Sequence, residues 1–282
     1  MLVDPSERFK GTVLIIAPHM DDEVLACGGT IARLPDKERI HVLYATDGRR
    51  SPSPVAFWRD SISSDLGEVR KHESVAATGL LGVPFENIHF LDLPEAELPR
   101  HIAALRRAVY EAIGRIKPDC VLVPFRYDRH PDHLAINDVV TAGLTNGVYA
   151  VRLFEYFIYY RWRLLRGGDV RQYVVPKCLF EVDVQAVSSL KRAALDCFRS
   201  QTTKYYSWQT RPILTPALLD EVSRTPEVFV AYESAGAGAA VFSRSVTWIR
   251  VVHRLEPLLQ RWKYRTGALW RGGILTRDGD AS

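Results

Sequence analysis

No apolar run in this 282-residue chain approaches the roughly 18 residues that a membrane-spanning helix requires, so no transmembrane segment is expected. Its first residues, MLVDPSERFKGT, lack the basic-then-apolar pattern of a secretory leader. Cysteine is scarce and scattered. Cys27, Cys120, Cys178 and Cys197 have no paired spacing, which argues against a disulfide framework and for a reduced, cytoplasmic setting. Cys27 is expected to be a small core thiol. No strong excess of one charge exists either: 37 basic against 33 acidic side chains leave a net charge of +4, too little to imply a nucleic-acid partner. The chain shows no 20–50-residue repeat and no low-complexity tract, which excludes solenoids and arrays. Nor does a G-x-G-x-x-G motif follow its first apolar run, so a nicotinamide-binding enzyme is disfavoured. What remains is the composition of an ordinary soluble globular protein, 47% hydrophobic and 25% charged, long enough for one large domain or a domain with an appendage.

The strongest positive signal is the stretch 13–29, VLIIAPHMDDEVLACGG. Residues 13–17 are unbroken apolar, as in a strand buried on both faces of a parallel sheet. Pro18 ends the run, and His19, Asp21, Asp22 and Glu23 follow before Val24, Leu25, Ile31 and Leu34 recur at helical spacing. Asp22 and Glu23 suit a helix N-terminus by capping and by the dipole, but that leaves His19 and Asp21 without a structural reason.

Further strands are expected at 40–45, 88–91 and 120–124, with helices at 66–81 and 101–116 between them. Alternation of this kind predicts an α/β fold: a Rossmann-like, doubly wound, mostly parallel sheet with helices on both faces. Directly after the fourth strand comes FRYDRHPDH and then a helix from Leu134, a second strand-to-helix turn loaded with His and Asp. With strand order 3-2-1-4, the first and fourth strands are neighbours at the topological switch point, where ligands bind outside the carboxyl ends of the strands. The two turns are therefore expected to face each other. The segment 49–65 is rich in Ser, Pro and Arg, carries Phe57 and Trp58, and reads as a substrate loop.

His19, Asp22 and His133 offer two imidazole nitrogens and one carboxylate oxygen. Three protein ligands with an open position are the catalytic pattern for Zn²⁺, although the same set also suits non-haem Fe(II). Asp21, adjacent but free of the metal, is the candidate general base. A protonated His130 is the candidate partner for an oxyanion or a leaving amine, and Asp132 the group that orients a histidine.

PHMDDE at 18–23 together with HPDH at 130–133 resembles the paired motifs of the LmbE-like, or PIG-L, family of metal-dependent N-acetylglucosaminyl deacetylases. Arg70-Lys71-His72-Glu73 with Ala77 and Leu81-Gly82, then HFLDLPE at 89–95, resemble the middle section of that family. Lys191, Ala194, Leu195, Ser200 and Gln201 resemble a later stretch, so the likeness spans roughly residues 10–205. It implies His19, Asp22 and His133 as metal ligands, Asp21 as base and His130 as electrostatic partner. It also implies Arg70 and Glu95 as substrate contacts, although Arg70 suits an exposed helix position paired with Glu73 equally well. Met20 departs from the family, which usually has Pro there; without that ring the turn is looser, and a thioether is expected near the pocket.

In the last third, residues 156–166 (YFIYYRWRLLR) read as an edge strand entering a loop, 181–184 as a strand and 186–198 as a helix. Tyr205, Tyr206 and Trp208 lie in a loop at 204–215 that either rims the cleft or packs on the surface. SAGAGAA at 234–240 marks the expected end of the enzymatic core, dividing a deacetylase domain, 1–235, from a basic, aromatic, helical extension, 236–282. Residues 244–271 carry seven basic side chains against Glu256 alone, interleaved with Trp and Leu. Such a stretch either lies on an anionic membrane surface or docks as helices on the core or a second subunit, and docking is preferred. The expectation is a zinc-dependent hydrolase, one metal per chain, that removes acetyl from an N-acetylglucosamine-type conjugate, with no nucleic-acid partner. The alternatives are a related amidase acting on another sugar or thiol conjugate, and a non-catalytic sugar- or nucleotide-binding module.

Overall fold

The computed structural model describes residues 1–52, 64–162, 164–165, 167–231, 247–252 and 254–255. Its strands are β1 (Leu2–Val3), β2 (Val13–Ala17), β3 (Ile40–Thr46), β4 (Ile88–Leu93), β5 (Cys120–Pro124), β6 (Arg152–Tyr156), β7 (Leu179–Val182) and β8 (Glu227–Ala231). Its α-helices are α1 (Pro5–Arg8), α2 (Asp22–Arg33), α3 (Ser64–Leu80), α4 (Ile102–Ile116), α5 (Pro131–Thr145), α6 (Ser188–Asp196), α7 (Arg199–Thr202) and α8 (Pro216–Arg224). The strands form one sheet in the order β1-β7-β8-β6-β5-β2-β3-β4.

The uniformly apolar β2 lies at the centre because both of its faces need covering. Val13, Ile15 and Ala17 enter one core with Val24, Cys27 and Ile31 of α2, Ala77 of α3, Ala194 and Leu195 of α6, and Leu218 of α8. Leu14 and Ile16 point the other way, into a second core with Leu105, Val109 and Ile113 of α4 and Ile136 and Val140 of α5. Parallel pairing sets Val13 beside Ile40 on one side and beside Cys120 on the other, and β4 follows outside β3. The expected 3-2-1-4 order is present. The carboxyl ends of β2 and β5 therefore lie side by side.

The other half of the sheet departs from expectation. The strand expected at the start of 156–166 lies earlier, as β6, and sits inside the sheet between β5 and β8. Tyr156 ends it fully buried, its hydroxyl donating to Ile16 O at 2.9 Å. β8, which pairs antiparallel with both β6 and β7, was not anticipated. Short five-residue strands carry no mark of pairing direction, so only long-range contacts settle it. Met20 is fully buried in the first core, and its sulfur stands with Arg70 against Gly48, where a Cβ would meet both at 3.3 Å.

Phe57 and Trp58, the segment 234–240, the expected 235/236 division and residues 256–282 lie outside the described residues. Residues 247–252 and 254–255 are helical, and Ile249 and Val252 are buried with Phe125, Trp162, Val170 and Val230. This part of the basic tail is docked on the body of the protein. Among the described residues no helix is long and apolar enough to cross a membrane.

Candidate active site

The chain turns at the end of β2 through Pro18, His19, Met20 and Asp21, and α2 begins at Asp22. Asp21 occupies the cap position but at φ 152°, a conformation L residues rarely adopt, and its side chain makes no capping bond. Such a residue stores strain of about 1–3 kcal/mol. The Glu23 carboxylate holds the kink by accepting Asp21 N–H at 3.2 Å. Asp22 turns back and accepts His19 N–H at 3.0 Å. The second turn, after β5, is organised by Asp128, which accepts His130 N–H at 2.9 Å and Tyr159 N–H at 3.2 Å. Pro131 then opens α5, where its missing N–H costs nothing.

The two turns meet in a tight polar cluster. His19 Nδ1 lies 3.2 Å from Asp22 Oδ2, His133 Nε2 lies 3.3 Å from the same oxygen, and the two ring nitrogens are 3.2 Å apart. Donors held about 2.0–2.1 Å from a tetrahedral zinc stand about 3.3–3.4 Å apart, so this triangle is the size of one face of such a site. Each imidazole presents its other nitrogen to a carboxylate: His19 Nε2 lies 3.1 Å from Asp132 Oδ2, and His133 Nδ1 lies 3.2 Å from Asp128 Oδ1. That is the support a metal-bound histidine needs to fix its ring and tautomer. Asp132 is itself anchored by Ala96 N–H at 2.7 Å and Leu98 N–H at 3.0 Å, from the connection after β4. Asp128 is the one member of the cluster to which the sequence motifs assign no role. Its signal was its place two residues before His130 in a turn already rich in such groups.

The electrostatics favour positive charge at the triangle. Burial alone would lower His19, but Asp132 and Asp22 raise it well above the usual histidine range. His133, also opposed by burial, is lifted to about 9 by Asp128 and Asp22. Burial would raise Asp22, yet His133 and His19 hold it well below the carboxylate range. Groups that draw extra protons into a buried pocket mark a place where a cation is stabilised, and a divalent ion would displace those protons. A wider set, His19, His130 and His133, also has ligand atoms within 4.8 Å of one another.

His130 differs from its sequence-based expectation. Burial, with His19 and His133 beside it, holds it well below the usual histidine range, so the ring is neutral rather than protonated. Its Nδ1 accepts Asp132 N–H at 3.2 Å, which leaves the proton on Nε2. The His130 ring stands edge-on to His19 with centroids 4.5 Å apart.

Asp21 faces the cluster from the α2 side. Burial pushes it up to about 7, against the pull of Arg70, whose Nη2 lies 3.8 Å from Asp21 Oδ2. Arg70 is buried rather than exposed, and its partner is not Glu73. It donates to Glu95 Oε1 at 3.1 Å and to Met20 O at 3.2 Å. Glu73 instead accepts Ser200 N–H at 2.8 Å and Ser200 O–H at 2.6 Å. Glu95 takes Arg50 N–H at 2.6 Å on its second oxygen. In this structure both Arg70 and Glu95 are engaged with protein partners.

A family model described as PIG-L, GlcNAc-PI de-N-acetylase, matches residues 14–144. Diacetylchitobiose deacetylase of Thermococcus kodakarensis is 31% identical over 205 residues, 67% of this chain and 69% of its own. The 1D-myo-inositol 2-acetamido-2-deoxy-alpha-D-glucopyranoside deacetylase of Rhodococcus jostii is 26% identical, over 68% of this chain and 82% of its own. Among solved structures, N,N'-diacetylchitobiose deacetylase from Pyrococcus horikoshii superposes with a TM-score of 0.58 at 23% identity, covering 83% of this chain and 88% of its own, a likeness of fold.

Proposed function

The chain belongs to the PIG-L, or LmbE-like, family and is a de-N-acetylase, and we propose that it is a zinc-dependent one acting on an N-acetylglucosamine-type conjugate. The observation that carries this reading is the donor triangle of His19, Asp22 and His133, with Asp21 beside it and outside it. A divalent ion held by those three residues supplies a Lewis acid for the amide carbonyl and makes an attacking water more acidic.

The remaining work falls to the chain. Asp21, ionised, takes a proton from the attacking water and later returns it to the departing amine nitrogen. Its nearly neutral pKa suits both directions of transfer. Arg70 and Glu95 position it: Arg70 fills the space behind the carboxylate, and Glu95 neutralises the Arg70 charge. His130, neutral with its proton on Nε2, donates to the carbonyl oxygen as that oxygen gains charge. Asp132 and Asp128 keep His19 and His133 in the orientation the ligands require. Ordered donors in a buried pocket contribute more than the same groups in water, because no reorganisation is needed when charge develops.

The test is acetate release from a panel of N-acetylated aminosugar conjugates, measured before chelation, after it, and after return of zinc. Release that disappears with chelator and returns with metal is expected. Acetate release indifferent to chelation overturns the metal assignment, and hydrolysis of other amides with the acetyl sugars left intact overturns the substrate class.

A further inference from the structure

The connection between α7 and α8 holds aromatic rings out of the core. Tyr205 is 40% exposed and Trp208 44%. The rings of Tyr206 and Trp208 are stacked, 5.6 Å apart and 13° from parallel, and Tyr205 meets Tyr206 edge-on at 5.0 Å. Indole is among the most favourable side chains to bury, so a loop that keeps one in solvent forgoes a large apolar gain. The loop is nevertheless ordered beneath the rings. Gln209, buried, accepts Tyr206 N–H at 2.7 Å on its side chain, and its own N–H donates to Tyr206 O at 3.0 Å. Leu214 N–H closes the loop onto Gln201 O at 2.9 Å.

A relay of hydrogen bonds joins the neck of this loop to the residues that support Asp21. Gln201 Nε2 donates to Ser51 O at 2.8 Å, and the neighbouring Arg50 N–H donates to Glu95. Glu95 holds Arg70, which stands 3.8 Å from Asp21. The loop's other exposed residues are mostly polar, Lys204, Ser207, Thr210 and Arg211, with Ile213 the one large apolar side chain among them. A lipid chain or an apolar protein face would be met by a continuous greasy patch. A flat ring ringed by hydrogen-bonding groups fits a pyranose, whose C–H face stacks while its hydroxyls reach outward.

We propose that the Tyr206–Trp208 stack is a saccharide subsite that binds a sugar ring of the substrate beyond the one that loses its acetyl group. The substrate is then a glycan or glycoconjugate of at least two sugar units. This rests on the deacetylase reading above.

The experiment compares wild type with Trp208→Ala and Trp208→Tyr on N-acetylglucosamine and its β-linked dimer, trimer and tetramer, by acetate release and by calorimetric titration with the trimer. Trp208→Ala should raise KM for the oligomers about tenfold and weaken trimer binding equally, leaving kcat and the monosaccharide kinetics unchanged. Trp208→Tyr should recover most of the loss. Unchanged oligomer KM and trimer affinity in Trp208→Ala overturn the subsite, as does an equal loss on the monosaccharide. If wild type releases no acetate from any of these sugars, the activity reading fails instead. The calorimetric comparison then decides the subsite alone, and absent or Trp208-independent trimer binding overturns it.

Discussion

Asp21 and Asp22 are adjacent in the chain and opposite in circumstance. The φ of 152° at Asp21 turns its side chain toward Arg70, while Asp22, one step into the helix, turns back onto the two histidines. Asp22→Asn is therefore expected to lower metal content and activity together. Asp21→Asn should keep the metal and the substrate KM while kcat falls about 10²–10⁴-fold, the usual contribution of a positioned base. Metal analysis beside steady-state kinetics separates the two, and near-normal kcat in metal-loaded Asp21→Asn removes Asp21 as the base. The pH dependence has a definite sign. A base must be ionised to act, and Asp21 is raised to about 7, so kcat/KM should climb as pH rises through a limb at or below that value. A bound cation adds to the downward pull of Arg70 and moves the limb lower. His130, neutral through this range, contributes no alkaline limb, and its replacement by Ala should lower kcat without moving the acid limb. Asp128 acts one step back. Asp128→Ala should weaken metal affinity about 10–100-fold, as loss of a histidine's supporting carboxylate does, read by competition with a metal-binding dye.

At the scale of elements, α2 is held in place by a buried ion pair. Lys191 of α6 donates to Leu25 O at 3.0 Å and to Glu227 Oε1 at 2.7 Å, while Glu227 of β8 accepts Gly29 N–H and Thr30 N–H at 2.7 Å each. Two elements from the second half of the chain are thus tied to the helix that carries Asp22. Gly29 is required for the approach: a Cβ there would stand 2.2 Å from Val184 Cγ1. Lys191→Met leaves the Glu227 charge buried and unpaired, and should cost about 3–5 kcal/mol in denaturant unfolding. Replacing both, Lys191→Met with Glu227→Gln, should recover part of that loss. A single variant as stable as wild type would show that α2 does not depend on the clamp. Elsewhere Gln201 and Ser200 do similar service, joining α7 to Ser51 and to Glu73 of α3.

For the molecule as a whole, the parallel half of the sheet builds the cleft and the mixed half supports it. The helical residues 247–252 pack onto the body of the protein by burying Ile249 and Val252 against Phe125, Trp162 and Val230. A charge placed there is buried without a partner, so Ile249→Asp should lower Tm by on the order of 10 °C. Thermal unfolding checks this, and an unchanged Tm would return the helix to the membrane-surface alternative. Trp248 and Leu255 remain exposed on the same short helix. If that face met anionic lipid, vesicle sedimentation would be salt-sensitive and would survive only while the helix stayed docked.

Local pattern alone determined a great deal about this protein. Apolar runs ended by Pro18 and by Pro124 located the central strands, and the strand–helix alternation implied the 3-2-1-4 order that sets those two ends together. His19, Asp21, Asp22, His130, Asp132 and His133 were legible because polar groups at buried strand ends have no folding purpose of their own. Tertiary structure decided what depends on partners distant in the chain. Arg70 became a buried support for Asp21 rather than an exposed helix residue because Glu95, on another connection, compensates its charge. His130 became neutral because two other imidazoles and burial surround it, and no motif encodes that proximity. β8 is antiparallel, and β6 interior, because pairing is a contact between segments that share no local signal. Periodicity and punctuation are properties of neighbours along the chain, whereas burial, charge compensation and strand direction belong to neighbours in space.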